Sequence, residues 1–188
     1  MGSLLEATQN TRFVPYLPQF IRSDLPWHLT NSDKEWLINH NFKTAIDLRT
    51  EAEYIKWKSD LEDDDRFTVL HMPLSLKEYN TKTIDDMVKN YQFMLDDKLK
   101  SVLDYLCISK ENIIYFCYTG KDRTGVVTAM LLRRCGYPDT EIIKDYMKSK
   151  TNMEQYIIDF CKRNPEYSLD VTMPNLKFIQ AVLDSPVI

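Results

Sequence analysis

A cysteine and an arginine, Cys117 and Arg123, stand six positions apart in the string Cys-Tyr-Thr-Gly-Lys-Asp-Arg-Thr-Gly. None of the other three cysteines has an arginine at that offset. A thiolate is a strong nucleophile, and a guanidinium binds two phosphate oxygens through its planar fork. Gly120 allows a tight turn, and Gly125 allows the segments before and after the string to approach closely. The string therefore predicts a phosphate-binding loop with Cys117 as the nucleophile.

The segments on both sides of the loop have the patterns of a buried strand and a buried helix. Residues 112–117 are a short β-branched and aromatic run, typical of a strand buried on both faces. Residues 124–132 are nearly all apolar, which predicts a central helix with Gly136 as its C-cap. The loop amides then converge at a helix N-terminus, where unpaired N–H groups and the macrodipole favour an anion. We expect a bound phosphate there and a thiolate at neutral pH.

The remaining side chains of the loop supply charge, hydrogen bonds and a proton. Lys121 adds positive charge next to the phosphate, and Tyr118 and Thr119 complete the phosphate-binding loop. The hydroxyl of Thr124 can hydrogen-bond the cysteine sulfur and help it leave. Asp122 is our first choice for the general acid that protonates the leaving oxygen and later activates water.

Other carboxylates are alternatives for this acid. Asp47 stands at the end of a predicted strand, residues 43–48, where an ion pair within its own segment is the competing interpretation. Asp85 and Asp86 lie on a segment that can act as a lid, or they simply begin a solvated helix. For Asp122 the competing role is a salt bridge that shapes the loop. The sequence leaves the choice open.

Two segments of the chain resemble one protein family. Residues 117–123 fit the Cys-x5-Arg loop of the protein tyrosine phosphatase superfamily, and Gly-Lys-Asp-Arg-Thr-Gly resembles its bacterial tyrosine and phosphoinositide phosphatase branch. Residues 46–53 resemble the Ile-Asp-Leu-Arg-x-x-x-Glu element of that branch, and residues 22–23 are similar to its Arg-Ser dipeptide. The resemblance covers about residues 20–135 and leaves the C-terminal helices without a motif.

The resemblance implies a cysteine-dependent phosphomonoester hydrolase that works through a phosphocysteine intermediate without metal or cofactor. The substrates that it implies are phosphotyrosine, and also phosphoserine, phosphothreonine or phosphoinositides. An acid just before the arginine has precedent in phosphoinositide phosphatases of the myotubularin and Sac types, which supports Asp122. The resemblance also implies that Asp47 and Arg49 support the site. Where the family usually has histidine before the nucleophile, this chain has Phe116, and we expect activity with a less strongly activated thiol.

Two other functions fit part of the pattern. A catalytically weak or inactive binding module of the same fold, suggested by Phe116, would hold phosphate in the loop without turnover. A rhodanese-like sulfurtransferase also uses a cysteine between a strand and a helix. That chemistry does not explain the Asp-Arg-Thr-Gly string at residues 122–125.

Composition predicts one soluble domain over residues 1–188, with disorder at most in about residues 1–12. The chain is 44% hydrophobic and 28% charged, which is enough to bury a core. A net charge of -4 argues against a nucleic-acid partner, and no apolar run is long enough to span a membrane. Strands alternating with helices predict an α/β fold, a central mostly parallel sheet with helices on both faces.

The other cysteines and the histidines give no metal-ligand spacing. The predicted small buried thiols are Cys107, Cys135 and Cys161, and the predicted structural or surface histidines are His28, His40 and His71. Reduced thiols favour the cytoplasm, with secretion by a leaderless or removed-leader route left open. The sequence does not indicate the oligomeric state or the natural substrate.

The remaining patterns predict further elements. Ser32 and Glu35 read as a capping box that opens a helix, and residues 67–72 read as a second strand. Three- and four-residue spacing of apolar side chains predicts one or two helices over residues 83–106. Further helices are predicted at residues 140–148, 153–161 and 174–183.

Overall fold

The computed structural model describes residues 2–75 and 81–186. Within these ranges five strands form one sheet in the order β1-β2-β5-β3-β4. The first pair is antiparallel, and the other neighbouring strands run parallel. The strands are β1 (Arg12–Val14), β2 (Leu17–Ser23), β3 (Thr44–Asp47), β4 (Thr68–His71) and β5 (Ile113–Phe116). The helices are α1 (Asn31–Asn39), α2 (Glu51–Lys56), α3 (Ile84–Phe93), α4 (Asp97–Ile108), α5 (Arg123–Arg134), α6 (Asp139–Arg163), α7 (Leu169–Thr172) and α8 (Leu176–Leu183).

The central strand β5 explains why both sheet faces are covered. Ile113 and Tyr115 pack into one core with residues of α3 to α6 and α8, whereas Ile114 and Phe116 pack into a second core with α1 and the N-terminal segment. This alternation follows from the two-residue period of a strand. The predicted mostly parallel α/β fold with helices on both faces is confirmed.

Helix α5 follows β5 and is almost completely buried. It ends at Arg134, and Gly136, two positions beyond, has a φ of 80° in the left-handed region. The N–H of Gly136 donates to the Arg133 carbonyl, and that of Tyr137 donates to the Leu132 carbonyl. These two bonds form a Schellman motif, so the predicted C-cap is confirmed.

Two local predictions were wrong. The N-cap of α1 is Thr30 rather than Ser32: the Thr30 side chain accepts from the Asp33 N–H, and the Asp33 carboxylate accepts from the Thr30 N–H. The helices predicted at residues 140–148 and 153–161 are one continuous helix, α6. Its polar centre, residues 149–152, contains no glycine or proline to end the helix, and Ser149 there is buried and accepts hydrogen bonds from groups outside the helix.

The prediction that three thiols are buried was wrong. Cys107 and Cys135 are exposed and Cys161 is half-buried, because the first two lie on the outer side or at the end of their helices. In the N-terminal segment, for which the sequence allowed disorder, Leu5 packs into the second core and Asn10 is fully buried. No helix within residues 2–75 and 81–186 combines the length and apolar character needed to cross a bilayer.

Candidate active site

The Cys-x5-Arg string forms the connection between β5 and α5. Cys117 directly follows the central strand and is 1% exposed, and α5 begins at Arg123. In parallel sheets the connections beyond the carboxyl ends of the strands form the usual ligand site. The structure therefore brings the predicted nucleophile and arginine to that edge.

Gly120 is required by the loop for two reasons. Its φ of 65° lies in the left-handed region. A Cβ there would also lie 2.5 Å from the backbone nitrogen of Asp24 and 2.6 Å from the carbonyl oxygen of Ser23, distances that real side chains do not reach. The loop and the end of β2 thus pack backbone against backbone, as only glycine allows.

The N-terminus of α5 is left without a side-chain cap. Asp122 occupies the N-cap position, where a carboxylate usually accepts from the amides of the first turn, but it makes no such bond. Its carboxylate instead contacts the Lys121 ammonium, at 2.8 and 2.7 Å, and accepts from the Tyr91 hydroxyl at 2.6 Å. The amides at the start of the helix remain available to an external anion.

Arg123 is held by Glu53, a residue from the first turn of α2. Its Nη1 donates to Glu53 Oε2, and its Nη2 donates to Oε1 at 2.9 Å. Burial acts to lower the pKa of Arg123, but the hydrogen bonds to Glu53 and the electrostatic interactions with Cys117 and Glu53 outweigh burial and raise it. The guanidinium therefore stays charged and is held in place by both Glu53 oxygens.

Two buried polar atoms at the site find no hydrogen-bond partner among the described residues: Arg123 Nε and Thr124 Oγ1. Buried polar groups are normally paired, so such atoms indicate an absent ligand or a functional role. An anion bound at the loop would accept from Arg123 Nε. The Thr124 hydroxyl is free to serve the sulfur, the role predicted from its position.

Tyr91 links the loop to the helices that cover it. Its hydroxyl lies 2.7 Å from the Tyr146 hydroxyl in addition to its bond to Asp122. Burial and the negative charge of Asp122 raise the pKa of Tyr91 well above its ordinary value. The phenol therefore stays protonated and donates to the Asp122 carboxylate.

The other predicted acids lie elsewhere. The Asp47 carboxylate accepts from Nε of Arg49 at 2.9 and 3.0 Å and from Nη2 at 2.5 Å, and both residues are fully buried. The Arg49 guanidinium also lies 5.7 Å from the Phe116 ring centroid. Asp85 is exposed, and Asp86 accepts from the N–H of Thr83 at the start of α3. The structure does not bring these three carboxylates to the loop.

An open cavity of about 230 Å³ lies above the loop. Its floor contains Lys121, Asp122 and Arg123, and its walls come from α3, α6 and α7. Aromatic and apolar side chains dominate these walls. They include Met87, Tyr118, Tyr156, Ile157, Phe160, Tyr167 and Val171.

Several site residues were not predicted as such. Glu53 stands in the Ile-Asp-Leu-Arg-x-x-x-Glu element, which is the signal that could have indicated it. Tyr91 belongs to an apolar helical pattern and reads as core, while Tyr156 and Phe160 lie beyond the motifs. Only the three-dimensional packing, which brings α3 and α6 to the cavity beside the loop, reveals their position.

A buried ion-pair network contacts the loop at the Gly120 carbonyl, and we expect it to contribute to the stability of the fold. Asp145 binds Arg22 at 2.6 Å and Arg12 at 3.0 Å, and Arg22 Nη2 donates to the Gly120 carbonyl at 2.9 Å. Asp145→Asn leaves two guanidinium groups without their counter-charge. We expect a loss of about 3–5 kcal/mol in the free energy of unfolding, measured by urea denaturation at pH 7.

The pH dependence of this loss follows from the pKa of Asp145. Burial acts to raise that pKa, but attraction to Arg22 and Arg12 outweighs burial and lowers it. The stabilisation is therefore present above the unfolded pKa of about 3.9 and is lost as the pH falls below it. The difference between wild type and variant should shrink in acid. Asp159→Asn on the same helix is the control, and equal unfolding midpoints for the two variants would contradict the network's role.

Comparisons with known proteins agree with this geometry. The sequence model described as "Tyrosine phosphatase family" matches residues 16–185. A tyrosine-protein phosphatase of Nostoc commune is 30% identical over 145 residues, which are 72% of this chain and 49% of that protein. The chain thus spans about half the length of this relative.

Solved structures share the fold at low sequence identity. The Siw14 catalytic core has a TM-score of 0.55 and 14% identity, over 88% of this chain and 97% of that one. The human tyrosine phosphatase-like serine/threonine/tyrosine-interacting protein has a TM-score of 0.53 and 11% identity, over 94% and 95%. Given the match over residues 16–185, this chain belongs to the tyrosine phosphatase family.

Proposed function

We propose that this protein is a phosphatase that hydrolyses phosphotyrosine through a phosphocysteine intermediate on Cys117. The observation that carries the proposal is the pairing of a buried cysteine with Arg123 in one loop at an uncapped helix N-terminus. Such a site binds a phosphate dianion and keeps a thiolate ready for attack. Membership of the tyrosine phosphatase family supports the same conclusion.

The reaction proceeds in two displacements. In the first, the Cys117 thiolate attacks phosphorus, the bond to the ester oxygen breaks, and Asp122 gives its proton to that oxygen. In the second, water attacks the phosphocysteine, the Asp122 carboxylate takes the proton, and the sulfur leaves with a hydrogen bond from Thr124. Arg123 stabilises the charge on the equatorial oxygens in both steps.

The cavity favours an aryl phosphate over a multiply phosphorylated headgroup. Its described charged lining residues are two acids and two bases, namely Glu53, Lys121, Asp122 and Arg123. The bases already contact the acids, so among the described lining residues no surplus positive charge faces a second phosphate. The aromatic walls suit a tyrosine ring.

A substrate panel tests the proposal. We expect vanadate-sensitive hydrolysis of p-nitrophenyl phosphate and of phosphotyrosine peptides, with slower hydrolysis of phosphoserine peptides and phosphoinositides. Tungstate binding without any hydrolysis would identify a binding module instead. Thiosulfate-dependent persulfide on Cys117 would support the sulfurtransferase.

Asp122→Asn tests the general acid. For a phosphotyrosine peptide we expect kcat/KM to fall about 10²–10³-fold, within the range for lost acid catalysis. The fall in kcat/KM should be much smaller for p-nitrophenyl phosphate, because p-nitrophenolate leaves without a proton, whereas kcat should fall for both substrates because the phosphocysteine loses its base. Steady-state kinetics on both substrates provide the measurement.

The control for this test is Asp85→Asn, an exposed acid outside the cavity lining. It should keep wild-type kinetics on both substrates. Equal losses of kcat/KM on the two substrates in Asp122→Asn would argue that Asp122 only shapes the loop through its contacts with Lys121 and Tyr91.

A further inference from the structure

Three consecutive backbone carbonyls of the loop accept hydrogen bonds from the N-terminal segment and from the residues that end or follow β2. The Tyr118 carbonyl accepts from the Leu25 N–H at 3.1 Å. The Thr119 and Gly120 carbonyls accept from Asn10 Nδ2 at 3.1 and 3.0 Å. The Gly120 carbonyl also accepts from Arg22, as described above. All of these donors lie on the side of the loop that faces the N-terminal segment and β2.

The orientation of these three carbonyls also determines the direction of the N–H groups that follow them. In a planar trans peptide the C=O and the following N–H point in opposite directions. Fixing the three carbonyls therefore directs the next N–H groups, those of residues 119–121, away from these donors. Thr119 and Lys121 line the cavity, so this opposite side is where a phosphate would bind.

Asn10 is itself held in one orientation. It is fully buried, and its N–H donates to Asp24 Oδ1 at 2.9 Å. Its Oδ1 accepts from Arg12 Nη1 at 2.5 Å and from Asn152 Nδ2 at 3.2 Å. With the oxygen occupied in this way, the amide nitrogen of the side chain faces the loop carbonyls and the Ser149 hydroxyl, which lies 3.2 Å from it.

We propose that Asn10 is a positioning residue for the phosphate loop. Its side-chain amide binds the carbonyls of Thr119 and Gly120, so that the N–H groups of the residues that follow them, Gly120 and Lys121, face the substrate phosphate. Asn10 precedes residues 16–185, the part matched by the family. The N-terminal segment is thus a functional part of the site. The inference rests on the proposed function for its catalytic readout, but anion binding tests it independently.

The test is Asn10→Ala in the full chain. We expect kcat/KM for p-nitrophenyl phosphate to fall about 10- to 30-fold and the Kd for tungstate to rise by a similar factor, the size expected for two lost hydrogen bonds. Both are measured well below the unfolding temperature, so that they refer to folded protein. If Asn10→Ala fails to fold, Asn10→Ser carries the same test, because its hydroxyl can still accept from Arg12.

Thr8→Val is the matched control. Thr8 is buried in the same segment, and its hydroxyl contacts the Leu5 carbonyl and Ser3 but not the loop. The control should lower Tm to a similar extent while kcat/KM and tungstate affinity stay unchanged. An Asn10 variant with wild-type tungstate affinity and kcat/KM would overturn the proposal. A wild type that binds tungstate without hydrolysis, with binding weakened by Asn10→Ala, would refute the phosphatase and retain the positioning role.

Discussion

Cys117→Ser is expected to lower kcat for p-nitrophenyl phosphate by at least about 10⁴-fold, as removal of an enzymatic nucleophile typically does. A serine hydroxyl at this position stays protonated at neutral pH and is a much weaker nucleophile than a thiolate. The loop amides, Arg123 and Glu53 remain in place, so tungstate should still bind. Initial-rate kinetics together with calorimetric titration of tungstate separate the two effects.

The matched control for this prediction is Cys107→Ser on α4. Cys107 is exposed and does not line the cavity. Wild-type rates are expected for it. If Cys117→Ser kept a tenth of the wild-type kcat, attack by this sulfur would be ruled out.

The second large effect is expected for Arg123→Lys, with a loss of about 10²–10³-fold in kcat/KM, comparable to removal of an oxyanion-hole donor. Lysine keeps the charge but cannot present a planar fork to two oxygens. It also cannot pair with both Glu53 oxygens as Arg123 does. The loss should appear in both kcat and the Kd for tungstate.

Arg66→Lys is the comparison, because Arg66 is exposed and pairs with Asp64 and Glu35 far from the cavity. It should leave both quantities unchanged. A loss below about fivefold for Arg123→Lys would mean that charge alone suffices and that bidentate geometry contributes little.

The strand, loop and helix around Cys117 could be predicted because each carries a local signal. The β-branched run before the cysteine, the apolar run after Arg123 and the glycines all act within a few residues of one another. The alternation of strands with helices was likewise enough for the α/β fold. Local propensity and the final structure agree there.

What the sequence did not reveal depends on contacts between distant segments. Asn10 lies more than a hundred positions before the loop that it contacts, and a lone asparagine has no periodic pattern. Tyr91 has the spacing of a core residue and reaches Asp122 only through the packing of α3. Ser149, in the polar centre of α6, is buried by contacts with Arg12 of β1 and Asn10 of the N-terminal segment, which its local sequence does not indicate.

Trapping the covalent intermediate tests the central claim most directly. Asp122→Asn enzyme, in which hydrolysis of the intermediate should be slow, is mixed with p-nitrophenyl phosphate, quenched in denaturant and digested for mass spectrometry. The account predicts that the peptide containing Cys117 gains one phosphoryl group and that vanadate abolishes this gain. Turnover without phosphate on Cys117, or with phosphate on another side chain, would contradict it.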